Sequence, residues 1–131
     1  MLNRRQAIAA FAGSAAILSG VGASALDKVA YSSAAFDAAL KTGKPVLVDV
    51  SAPWCPTCKA QAPILSELTK QSRFKDLVVF NVDFDSQKDA LRRLKAQQQS
   101  TLIVFKGGTE IGRSVGDTNK ASIEALLARS I

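Results

Sequence analysis

The sequence predicts an α/β domain, a central mixed β-sheet with helices on both faces. Three observations carry this. Val46-Leu47-Val48-Asp49-Val50 and Leu77 to Phe84 are near-continuous apolar runs of strand length, the pattern of strands buried on both faces. Helical segments alternate with the strands, which selects parallel pairing through crossovers. Gly107-Gly108 separates two further strand-like runs, which marks a closing hairpin and so an antiparallel edge.

Each element has a local reason. Val29-Ala30-Tyr31 reads as a short edge strand. Ser32 or Ser33 caps a helix over Ala34 to Thr42, with Phe36, Ala39 and Leu40 on one face and Gly43 as its stop. Pro45 breaks any continuation before the first buried strand. A second helix runs from about Cys55 to Ser72, interrupted by Pro63. After the strand Leu77 to Phe84, Ser86 caps a helix through Leu91, Leu94 and Lys95. Thr101 to Phe105 and Glu110 to Val115 form the hairpin. Thr118 or Asn119 caps a last helix whose apolar face is Ile123, Leu126 and Leu127.

The 131 residues fit one domain, and 47% hydrophobic content suffices for one core. The charge is +6; residues 1–25 hold Arg4 and Arg5 and no acid, so without them 15 basic residues face 11 acidic ones, a net +4. No stretch combines Lys and Arg with aromatic residues, so a nucleic-acid partner is not expected. There is no histidine. That excludes Cys-His and Ser-His catalytic pairs and any His-ligated metal.

Residues 1–25 read as a cleavable export signal, ahead of a single domain over 26–131. Arg4-Arg5 is a charged start, Ala7 to Val21 an apolar stretch, and Ala23-Ser24-Ala25 a small-x-small cleavage pattern. Cleavage after Ala25 begins the mature chain at Leu26. Gly13, Gly20 and Gly22 make the stretch a poor membrane span. The arginine pair partly matches a twin-arginine signal, with Ala7 where such signals favour Phe. A general secretory signal and an amphipathic N-terminal helix are the alternatives. Export places the chain in a bacterial periplasm, where disulfides are permitted.

The only two cysteines, Cys55 and Cys58, stand in Ser51-Ala52-Pro53-Trp54-Cys55-Pro56-Thr57-Cys58-Lys59. Cys55 falls where a buried strand ends and a helix begins. Unpaired N–H groups and the helix dipole favour a thiolate there, so its pKa should fall. Pro56 suits a first turn. Cys58 lies on the same face, one turn on, and can reach back to close a disulfide. Cys55 is the expected exposed nucleophile and Cys58 the shielded resolving thiol. Asp49 has two readings. As a buried carboxylate it would have a raised pKa and take the proton from Cys58, directly or through water; otherwise it points to solvent at the strand's edge. Trp54 either packs over the motif or joins the core. Lys59 either supports the thiolate or is a solvated helix residue.

At this point the chain resembles the thioredoxin superfamily over roughly Val29 to Ala128. Trp54-Cys55-Pro56-Thr57-Cys58-Lys59 is similar to the family's W-C-x-x-C-K. Asp49 falls on its buried aspartate, Pro63 on its helix-kinking proline, Val82-Asp83-Phe84-Asp85 on its central strand and Gly116 on a glycine after the last strand. Thr101-Leu102-Ile103-Val104-Phe105-Lys106-Gly107-Gly108 resembles its T-L-x-x-F-K-x-G segment. Asn81 stands where a lysine is common. The resemblance implies a thioredoxin-like fold and a redox-active disulfide, Cys55–Cys58. It also implies a substrate groove at Ser100 and Thr101. One departure is sharp: Ser100 replaces the family's cis-proline, so Gln99–Ser100 is either a cis bond before serine or a trans loop with an altered groove.

Phe36-Asp37-Ala38-Ala39-Leu40 and Gly43 to Val48 resemble the exported branch of the superfamily. That implies disulfide-bonded periplasmic proteins as substrates and a membrane thiol-electron transporter as donor. The expected activity is thiol–disulfide exchange, acting as a reductant, by a monomer without cofactor or metal. The alternatives are a disulfide oxidase or isomerase, and a metal or iron–sulfur carrier. A carrier would need ligands from a second chain or a small thiol. An inert structural disulfide is disfavoured, since so short a loop gains little from closure.

Overall fold

The structure is a computed structural model describing residues 28–131. The expected export segment 1–25 and the predicted new terminus Leu26 lie outside the described residues.

A five-stranded sheet runs in the order β1-β3-β2-β4-β5. The strands are β1 (Val29–Ala30), β2 (Val46–Ser51), β3 (Val78–Asp83), β4 (Thr101–Lys106) and β5 (Thr109–Val115). The helices are α1 (Ser33–Lys41), α2 (Pro56–Thr69), α3 (Lys88–Leu94) and α4 (Lys120–Ala128). The expected mixed sheet with helices on both faces is present.

Local signals account for most boundaries. Ser32 caps α1 by accepting from the Ala35 N–H at 3.1 Å, and Asn119 caps α4 by accepting from the Ser122 N–H at 3.0 Å. Three expectations need correction. First, α2 passes through Pro63 but stops at Thr69, and Ser72–Phe74 form a separate 3-10 turn. Second, Ser86 does not cap α3. Gln87 holds that position, and its amide is used elsewhere, accepting from Asp83 N–H at 2.9 Å and donating to Tyr31 O at 2.8 Å. Third, the alternating order does not make β4 parallel. β1, β3 and β2 pair in parallel, but β4 runs antiparallel to β2 as well as to β5. After α3 the chain does not return to the start of the sheet. β4 begins at the end where β2 finishes, and this sets Ser100 beside the cysteines.

Strand alternation splits the core in two. Val46, Val48 and Val50 join Phe36, Phe80, Ile103, Phe105 and Leu91 under α1 and α3. Leu47 joins Leu65, Leu68, Leu102, Ile123 and Leu127 under α2 and α4. Asp49 shares the alternation of Leu47 and so faces α2.

Candidate active site

The site gathers where β2 ends, α2 starts and β4 begins. Cys55 is the N-cap of α2, in extended conformation, and its Sγ accepts the Cys58 N–H at 3.2 Å. Pro56 is the first helical residue, where a missing N–H costs nothing. The helix thus places a sulfur where serine or asparagine oxygens commonly cap, and the dipole favours its anion.

Both cysteines are free thiols. Cys55 is not the exposed one: it is 1% exposed, against 8% for Cys58. Ala52 and Phe84 pack around the pair, and Ser100 closes it, with its Oγ 3.2 Å from Cys55 Sγ and 3.1 Å from Cys58 Sγ. Hydrogen bonding, rather than exposure, separates the two sulfurs. Burial pushes the Cys55 thiol up, but hydrogen bonds from the Cys58 and Ser100 side chains and the Cys58 and Thr57 backbone outweigh it and leave Cys55 below the ordinary thiol range. Burial pushes the Cys58 thiol up, the neighbouring Cys55 adds to this, and Cys58 stays above its ordinary value.

The Gln99–Ser100 bond is trans, as are all peptide bonds among the described residues. Ser100 instead adopts a left-handed φ of +63°, which costs a non-glycine residue about 1–2 kcal/mol. Its N–H donates to Val50 O at 2.7 Å, and its carbonyl accepts from Gly116 N–H at 3.0 Å and from Gln61 Nε2 at 3.3 Å. Gly116 offers that N–H from φ +72°, a conformation glycine takes freely. Ser100 and Thr101, the expected groove residues, are both buried; the Thr101 hydroxyl donates to Gln98 O at 2.7 Å. Gln97 and Gln98 are exposed, which suits their polarity.

Asp49 is 2% exposed, and the solvent-facing alternative falls away. It shares a cavity of about 270 Å³ with Cys58, Lys59, Ala62 and Asn81. Its Oδ2 accepts from Lys28 Nζ at 2.6 Å, while Oδ1 is buried without a protein partner. Sequence reasoning missed Lys28. The ammonium comes from the residue ahead of β1 and reaches past β3, whereas Asn81 accepts a hydrogen bond from Ser51 at 2.7 Å. No local sequence signal marks Lys28; only the pairing β1-β3-β2 brings it near Asp49. Gln61 was also missed. It is a fully buried amide on α2 that holds both the Ser100 and Asp117 carbonyls.

Trp54 does not pack into the core; it leans on Phe84, which packs against the cysteines. It is 54% exposed, with its Nε1 donating to Asp85 at 2.9 Å and its ring edge against Phe84. Lys59 is exposed at the cavity mouth, and Thr57 is half-buried. Among the described residues no group of three Cys, His, Asp or Glu gathers. A metal held by this pair would need outside ligands.

The thioredoxin family model matches residues 27–129. The chain belongs to the thioredoxin family. A thioredoxin from Mycobacterium tuberculosis is 41% identical over 100 residues, spanning 76% of this chain and 84% of that protein. Thioredoxin-2 of Saccharomyces cerevisiae is 35% identical over 101 residues, spanning 76% and 94%. The crystal structure of Trxlp from Edwardsiella tarda superposes with a TM-score of 0.74 at 48% identity, covering 76% of this chain and 98% of that one. The thioredoxin fold and a thiol–disulfide oxidoreductase activity with a redox-active cysteine pair follow from this membership. No helix among the described residues is long and apolar enough to cross a membrane.

Proposed function

We propose that this chain is an exported, periplasmic reductant of protein disulfides working through Cys55 and Cys58. The carrying observation is the electrostatic asymmetry of the pair, with Cys55 held below the ordinary thiol range and Cys58 above it. Cys55 attacks as thiolate. A Cys55–substrate disulfide forms, the substrate S–S bond breaks, and one substrate sulfur leaves as a thiolate. Cys58 then loses its proton toward Asp49 through their shared cavity and attacks Cys55 Sγ. The second substrate thiolate departs and takes up a proton from solvent. The substrate gains two electrons, and the Cys55–Cys58 disulfide carries the oxidation.

The periplasmic assignment rests on the signal-like residues 1–25 with cleavage after Ala25, and the membrane thiol-electron transporter as donor rests on resemblance to the exported branch. With no histidine between the cysteines, the couple should sit on the order of −200 to −270 mV. The test pairs two variants. Cys55→Ser should abolish reduction of a protein disulfide. Cys58→Ser should accumulate mixed disulfides, seen as a mass shift removed by reductant. Normal turnover by Cys58→Ser would overturn the resolving role. A measured potential near −120 mV, typical of strong oxidants, would reverse the direction.

A further inference from the structure

We propose that Ser100 is a catalytic hydroxyl that serves the two cysteines in turn, donating its single proton to whichever sulfur is the thiolate. This rests on the disulfide-exchange reading above and adds a third reacting-centre residue to it. The geometry is nearly symmetric, with Ser100 Oγ 3.2 Å from one sulfur and 3.1 Å from the other. A serine hydroxyl has one donor and two acceptor sites. It can therefore donate to only one of the two sulfurs at a time. In the reduced pair the Ser100 O–H donates to the Cys55 thiolate, and Ser100 Oγ is within reach of the Cys58 S–H whenever that proton is not turned to Cys55. Once Cys55 is bonded to substrate it carries no charge and no longer needs the donor. The hydroxyl proton swings about the Cβ–Oγ bond and meets Cys58 as Cys58 loses its own proton to Asp49. No atom is gained or lost by Ser100, and the electrons move only between sulfurs.

Two features make this hydroxyl effective. Its oxygen is fixed, because the backbone of Ser100 is tied to Val50, Gly116 and Gln61, so the change needs only a hydroxyl rotation. Ser100 is also 2% exposed, and water does not compete for the sulfurs at that point. A hydrogen bond to a buried charge is stronger than one in water.

The test uses the reduced full-length chain with Ser100→Ala and Ser100→Gly. Both remove the hydroxyl; glycine accepts φ +63° without cost whereas alanine does not. Thiolate absorbance against pH should show Cys55 titrating about one unit higher in both, roughly a tenfold loss of thiolate well below its pKa, the size expected for one hydrogen bond to a charge. Decay of the mixed disulfide should slow about tenfold as well. Their urea stabilities should differ while their Cys55 titrations agree, which separates the hydroxyl from the backbone. If either folded variant titrates like the parent, the assignment is wrong. The titration requires no substrate protein. A parent that fails to reduce disulfides but shows the Ser100-dependent titration would sink the functional reading and leave the hydroxyl assignment standing.

Discussion

The two faces of the sheet draw on the same strands and differ most at one end. Under α1 and α3 the packing is apolar except for the buried Tyr31 hydroxyl, with Phe36 in edge or tilted contact with Tyr31, Phe80 and Phe105 at 5.3–5.7 Å between ring centroids. Under α2 and α4 a cluster of aliphatic side chains and Phe74, centred on Leu47, Leu68, Leu102 and Leu127, stops short of the C-terminal end of β2. Beyond it stand Asp49, Gln61, Ser100 and two thiols, all buried. Buried polar groups without full partners cost stability, and Asp49 Oδ1 and Gln61 Oε1 are two such atoms. The first face holds the strands in place, and the second uses that rigidity to keep reactive groups out of water.

The largest expected effect tests whether the faces act independently. Phe36→Ala should lose about 3–5 kcal/mol in urea unfolding, with the Cys55 titration unchanged. A shifted titration would mean that packing on the first face reaches the sulfurs through β2. Next comes the ion pair. Lys28→Met leaves the Asp49 carboxylate buried and alone. Losing one partner of a buried pair costs about 3–5 kcal/mol, but Lys28 is 37% exposed, so solvent screening should reduce the loss to roughly 1–3 kcal/mol. Asp49→Asn added to that variant should restore most of it. Alone, Asp49→Asn should slow mixed-disulfide release at neutral pH tenfold or more; an unchanged rate would make Asp49 structural only.

Smaller effects sharpen the picture. Gln61→Leu removes the amide that spans the Ser100 and Asp117 carbonyls and should cost about 1–2 kcal/mol in thermal or urea unfolding. Alkylation against pH should show Cys55 reacting with a midpoint lower than that of an ordinary free thiol and Cys58 with a higher one. The linked stability follows in sign. Cys55, depressed in the folded state, contributes stability that is fully present above its unfolded pKa and lost as pH falls through the folded one. Cys58, raised, withdraws stability as pH climbs past its unfolded value. Alkylation with a single ordinary midpoint for both thiols would remove the asymmetry on which the proposed mechanism stands.

Residues near one another in sequence were largely legible. Ser32 and Asn119 act as caps because a cap is decided within three residues. Val46 to Val50 reads as a buried strand from its own composition. Cys55 and Cys58 share a face because helical spacing places them there. Ser86 misled because it was read by residue type alone, while Gln87 was drawn into bonds with Asp83 and with Tyr31, 56 residues away in sequence.

By itself the sequence determined the order of the elements, the cysteine pair at the start of a helix, and the thioredoxin-like fold that its motifs resemble. The tertiary structure alone decided the antiparallel entry of β4, the inward aim of Asp49 with Lys28 as its partner, and the Ser100 hydroxyl between both sulfurs. The physical reason is range. Caps, turns and apolar periodicity act over a few residues, whereas these three arrangements join groups 21 to 45 positions apart or more, and they exist only once the sheet has closed.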